Sequence, residues 1–129
     1  NADILTTISG ITKESAIILD AYFGDINRFK TKKEFVAFFG MNPVVNRTGL
    51  KTNRISYLEK KGSGFIRHQL FLITLNLIKM QQEPFYSYYQ RLVLAGKPKL
   101  VAICAVMRKL LVIMFQMLKN QENFDPDKN

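Results

Sequence analysis

The chain has 129 residues, of which 47% are hydrophobic, and a formal net charge of +9. That is enough apolar material for one hydrophobic core, and it excludes a largely disordered segment. A single cysteine, Cys104, excludes an internal disulfide framework and points to a reducing compartment.

The charge is unevenly placed. Up to Glu34 the five basic residues are balanced by five acidic ones, whereas Phe35 to Gln121 holds thirteen Lys and Arg against only Glu59 and Glu83. A concentration of this kind suits a polyanionic partner better than simple solubility does, although a solvated basic surface is the plain alternative.

Taken in chain order, the pattern is helical almost throughout. Residues 1–2 read as the scar of a removed tag and 3–121 as one domain; the abrupt start at Asp3 reads as a piece of a longer protein. A short apolar turn, 4–8, breaks at Ser9-Gly10. Thr12 can cap a helix to about Phe23, with Ala16, Ile17, Leu19 and Phe23 at helical spacing and Gly24 at its end. Thr31-Lys32-Lys33-Glu34 is a capping box, in which the hydroxyl and the carboxylate satisfy otherwise unpaired amides of the first turn. The helix it opens runs to Phe39 and stops at Gly40.

Residues 41–62 are punctuated by Pro43, Gly49 and Gly62 and read as a long, basic, irregular connection. Ser63 can cap the next helix, to about Gln82, with Ile66, Leu70, Ile73, Leu77 and Met80 on one face. Pro84 and Pro98 each open a further helix, over 85–95 and to about Asn120. The last is apolar almost all round, so it is expected to run through the middle of a bundle. Arg108-Lys109 at its centre argues against a membrane span, and no membrane partner is expected. Within it Cys104 is expected to be a buried, inert thiol. The tail, 122–129, is polar and expected to fray. The fold class is all-α: a compact bundle of five or six helices.

Two features point to nucleic-acid backbone. Ile8-Ser9-Gly10-Ile11-Thr12 resembles a helix-hairpin-helix turn, where Gly10 permits the tight backbone and the amides near Thr12 can face a phosphate; a plain helix-to-helix turn accounts for the same residues. The central segment gathers Arg47, Lys51, Arg54, Lys60, Lys61 and Arg67 among Thr48, Thr52, Asn53, Ser56 and Ser63. Cations mixed with hydroxyl and amide donors suit phosphate contacts that position a protein without reading sequence. Catalytic constellations are scarce: His68 is the sole histidine, no Cys/His spacing suggests zinc, and Asp20, Asp25 and Glu34 read as caps and solvent-facing charges. Phe85, Tyr86, Tyr88 and Tyr89 can stack on bases, but their spacing fits core packing or a docking face better.

The ordered motifs TISGIT, GDINRFKTKKEFVAFFGMNPVVNRTG, EKKGSGFIRHQLF, PFYSYYQRLVLAGKPK and VAICAVMRKLLVIMF resemble the C-terminal domain of insertion-sequence 116/110/902 family transposases, over Ile4 to Leu118. The resemblance implies a DNA-binding, nucleophile-bearing half of an enzyme that cleaves and rejoins DNA strands. It also implies a separate N-terminal domain of ribonuclease-H-like fold, whose acidic quartet holds a divalent metal (magnesium), with no metal in the part present here. A structured guide RNA, a homo-oligomer and a bacterial cytoplasmic setting are implied with it. The family's nucleophilic serine stands five residues after the proline and before a glycine. Counted from Pro43, that position is Thr48, followed by Gly49. Threonine can serve there, Ser56 or Ser63 can serve instead, or the copy is decayed. Arg47, Lys51, Lys60, Lys61 and Arg67 would ring the site as phosphate ligands. The competing readings are a non-catalytic module that holds nucleic-acid backbone and a helical domain that oligomerises through its aromatic helix.

Overall fold

The computed structural model describes the backbone of residues 1–40 and 49–128, and the side chains of 1–40 and 64–128. Among the described residues six α-helices follow in order: α1 (Ala2–Leu5), α2 (Lys13–Phe23), α3 (Lys32–Phe38), α4 (Gly49–Lys79), α5 (Phe85–Leu94) and α6 (Lys99–Asn120). A 3₁₀ turn, Ile26–Arg28, joins α2 to α3, and no strand occurs among the described residues. The all-α expectation holds.

Local chemistry sets several of the boundaries. Thr12 caps α2 by accepting from the Ser15 amide at 3.1 Å, and Gly24, at φ +68, ends it. Thr31 accepts from the Glu34 amide at 3.2 Å, while the Glu34 carboxylate accepts from the Lys30 amide at 3.0 Å. This is the capping-box exchange displaced by one residue, and it starts α3 where the sequence places it. Gly40, at φ +75, follows the end of α3.

The chain departs from expectation at α4. This helix begins at Gly49 rather than after Ser63, so the central connection is helical from Gly49 onward and Ser63 is an interior residue, not a cap. Gly49 and Gly62 read as breakers in the sequence, yet a helical glycine costs only about 1 kcal/mol relative to alanine. The Leu, Lys, Arg, Glu and Ile residues between them favour helix, and Pro43 is the last proline before Pro84.

Burial centres on α6, which packs against α5, α3, α4, α1 and the 3₁₀ turn. By length and composition α6 is apolar enough to cross a membrane, but Val106, Leu110, Leu111, Met114, Phe115 and Leu118 are buried inside the protein. On α4 the expected stripe, Ile66, Leu70, Ile73 and Leu77, is buried, whereas Met80 is left exposed. Ile17 on α2 is also exposed. The other end of the core is aromatic. Phe35 is fully buried and meets Phe23, Phe29, Phe39 and Phe115 at centroid distances of 5.1–5.5 Å.

One further expectation is corrected. Cys104 is exposed, because it shares with Leu100 and Val101 a face of α6 that is open in the first half of the helix, while Ala102 and Val106 on the other side are buried. The tail makes contacts with the helices. The Phe124 amide donates to Thr7 Oγ1 at 2.8 Å, and its ring stacks on Phe85 at 6.0 Å. Lys128 meets Glu122 at 2.7 Å, and this hydrogen bond holds the Glu122 carboxyl below its ordinary value. The contribution of that pair is complete above the ordinary glutamate pKa and is lost as pH falls through the depressed one.

Candidate nucleic-acid interface

The basic segment is ordered by the register of α4. Positions 51, 54, 58 and 61 follow one another at three- and four-residue intervals, and so do 65, 68 and 72, which continue the same helical face. Of that continuation, Phe65, His68 and Leu72 are exposed, Phe65 at 63%. Lys51, Arg54 and Lys61 therefore belong to a face whose described part is open to solvent.

Positions 56, 60, 63 and 67 form a second face, close to opposite the first. It carries two hydroxyl residues, Ser56 and Ser63, and two cations, Lys60 and Arg67. Arg67 is the one whose side chain the structure describes. It is half-buried and lies over the end of α3, where a Cβ built on Gly40 would stand 3.3 Å from its Nη1. Arg67 thus ties α4 to the point from which the chain continues into residues 41–48. Arg47 and Thr48 lie outside the described residues, and α4 opens at the position after Thr48. Arg67 is brought next to α3, while Lys51, Arg54, Lys60 and Lys61 are joined to it by helical register.

The hairpin candidate has a packing role. Gly10, at φ +111, accepts a hydrogen bond from Asn76 Nδ2 at 3.2 Å, and a Cβ there would stand 2.9 Å from Leu77 Cδ2. Glycine lets the turn between α1 and α2 close onto α4. Gly10→Ala is expected to lower stability by roughly 1–3 kcal/mol, through left-handed strain and overpacking against Leu77. Urea denaturation measures it; an unchanged midpoint would remove this packing role. Thr12 is exposed, and its hydroxyl is engaged by Ser15 as the cap of α2.

The aromatic helix is mostly committed to packing. Phe85 is fully buried, and Tyr88 and Tyr89 pack against the core. Arg91 and Lys109 each sit 5.2 Å from the Tyr88 ring centroid, a cation–π arrangement that accounts for one charge of the Arg108-Lys109 pair. Arg108 is exposed. Among the described residues no three of His, Cys, Asp and Glu come together in an arrangement that could hold a metal ion.

One feature escaped the sequence reading. The corner between α5 and α6 leaves Leu94, Leu100 and Val101 exposed beside Lys97 and Lys99. Its signal was present all the same: from Pro84 to Gln121 there are six Lys and Arg and no acidic residue.

An all-helical domain with a cation-rich long helix is the class that this architecture defines. The model of the Transposase IS116/IS110/IS902 family matches residues 2–90, and the chain belongs to that family. It is similar to the pilin gene-inverting proteins of Moraxella lacunata and Moraxella bovis, 28% identical to each over 124 residues. These alignments cover 96% of this chain and 38% of each relative, so the chain spans well under half the length of the curated relatives it matches. No solved structure matches it at a significant level.

Proposed function

We propose that this chain is the DNA-binding, nucleophile-bearing domain of a transposase that cleaves and rejoins DNA strands. Family membership and the similarity to gene-inverting proteins support the recombinase role. The observation that carries the domain-level reading is the basic α4, whose register distributes Lys51, Arg54 and Lys61 on one face and Lys60 and Arg67 on another. The first face grips backbone phosphate. The second, tied by Arg67 to the end of α3, supplies positive charge where hydroxyl attack builds negative charge on phosphorus.

In this reading the hydroxyl of Thr48 attacks the phosphorus. The bond from its oxygen to phosphorus forms as the bond from phosphorus to one sugar oxygen breaks. The hydroxyl proton ends on the leaving sugar oxygen, and the reverse exchange rejoins strands. Threonine's extra methyl crowds the in-line approach relative to serine. Ser56 and Ser63 are the neighbouring alternatives, on the same helical face as Lys60 and Arg67. Carboxylates for a divalent metal such as magnesium belong to a separate N-terminal domain. A guide RNA, a homo-oligomer and a cytoplasmic setting belong to the same proposal for the full-length protein.

The test is to trap a covalent protein–DNA adduct with full-length protein and to repeat the trapping with Thr48→Ala. The expected outcome is loss of the adduct in the variant and its retention in Thr48→Ser. An unchanged yield in Thr48→Ala would remove Thr48 from the chemistry and point to Ser56 or Ser63, whereas no adduct in the wild type would leave a backbone-binding module.

A further inference from the structure

The α5–α6 corner has two properties that seldom occur together on a protein surface. Leu94 is 86% exposed, Leu100 62% and Val101 52%, three large aliphatic side chains at one helix junction. Arg91, Lys97 and Lys99 around them are exposed, and neither Lys97 nor Lys99 meets a carboxylate among the described residues. The register of α6 adds exposed Cys104 and Arg108 to the face of Leu100 and Val101. Further along that face Leu111 and Phe115 are buried, so its solvent exposure is confined to the corner. Gly96, at φ +94 with open space where a Cβ would stand, makes the junction tight and keeps it narrow.

We propose that this corner is a second nucleic-acid contact, an apolar wedge that enters the minor groove of duplex DNA while Lys97, Lys99 and Arg91 take the flanking phosphates. The inference rests on the reading that the chain binds DNA. Charge complementarity chooses the occupant. A rim that is cationic throughout matches a polyanion, and it repels a second copy of itself across a symmetric interface. Shape favours DNA over an acidic helix. A side chain that is 86% exposed projects, whereas a docking helix needs a groove to lie in. Aliphatic wedges flanked by Lys and Arg are the arrangement that opens base steps from the minor groove. The corner is formed by α5 and α6, separate from the faces of α4.

Cys104, the sole cysteine and exposed, allows a direct test. A photo-crosslinker is attached to it, and the protein is irradiated with duplex DNA while anisotropy reports total binding. A Cys104–DNA adduct is expected, and its yield should fall several-fold in Lys97→Ala/Lys99→Ala. The same pair should flatten the salt dependence of affinity by about 2 in logarithmic slope, at roughly 0.9 per phosphate contact. Leu94→Ser/Leu100→Ser should weaken binding and leave that slope unchanged. DNA binding without a Cys104 adduct would overturn the wedge and leave the α4 interface standing. A Cys104 adduct between two copies of the protein in place of DNA would overturn it in favour of a protein interface. Absence of any DNA binding would sink both proposals, and the anisotropy signal separates these cases.

Discussion

Phe35→Ala is expected to cost this domain about 3–5 kcal/mol, the range for truncating a buried aromatic residue. Phe35 is fully buried, and its ring meets Phe23 at 5.5 Å, Phe29 at 5.2 Å, Phe39 at 5.1 Å and Phe115 at 5.4 Å. It joins α2, the 3₁₀ turn, α3 and α6, so the cavity it leaves cannot be closed by moving one element alone. Each aromatic pair adds roughly 0.5–1.5 kcal/mol beyond the buried area. Since a whole domain is stable by only about 5–15 kcal/mol, the variant should be largely unfolded or very labile. Urea denaturation followed by circular dichroism measures the loss. A cost below about 1 kcal/mol would mean that this aromatic cluster does not organise the fold.

The second large effect concerns binding. Replacing Lys51, Arg54 and Lys61 together by alanine should flatten the logarithmic salt dependence of DNA affinity by about 3. Affinity at moderate salt should fall roughly tenfold or more. The three positions share one face of α4 by helical register, and the described continuation of that face at Phe65, His68 and Leu72 is exposed. The helical content should be unchanged, because alanine favours helix more than the residues it replaces. If the slope of the triple variant equals that of the wild type, phosphate is held elsewhere.

The sequence was most legible where one residue type does one physical job. Thr12 and Thr31 mark helix starts, Gly24 and Gly40 mark helix ends, and the capping box at Thr31–Glu34 lies within one residue of its expected pairing. α6 reads as a core helix because its apolar residues run nearly all round it. That same property hid the exposure of Cys104. When every face is apolar, the pattern does not reveal which half the neighbouring helices cover. The start of α4 was missed because Gly49 and Gly62 weaken a helix without forbidding it, while flanking residues of good propensity carry it through. The contacts of Phe124 are not legible because it is a single aromatic residue in a polar stretch, and its partners, Thr7 and Phe85, are far away in sequence.

Of the interface, the concentration of charge was legible and its division between two helical faces was not, since that division follows from the helix itself. Thr48 came from the resemblance to a family pattern, and neither charge nor periodicity singles it out. Gly10 shows how one residue type can support two readings. A positive φ suits a phosphate-facing hairpin, yet here the same geometry seats the turn against Leu77 and Asn76.

The central claim, that this domain holds nucleic-acid phosphate through the basic face of α4, is tested most directly by titrating the wild-type chain with duplex DNA across a salt series. Binding at low salt and a linear fall of log affinity with log salt are expected. The slope should show several phosphate contacts, at about 0.9 each. No binding at low salt, or binding indifferent to salt, would contradict it.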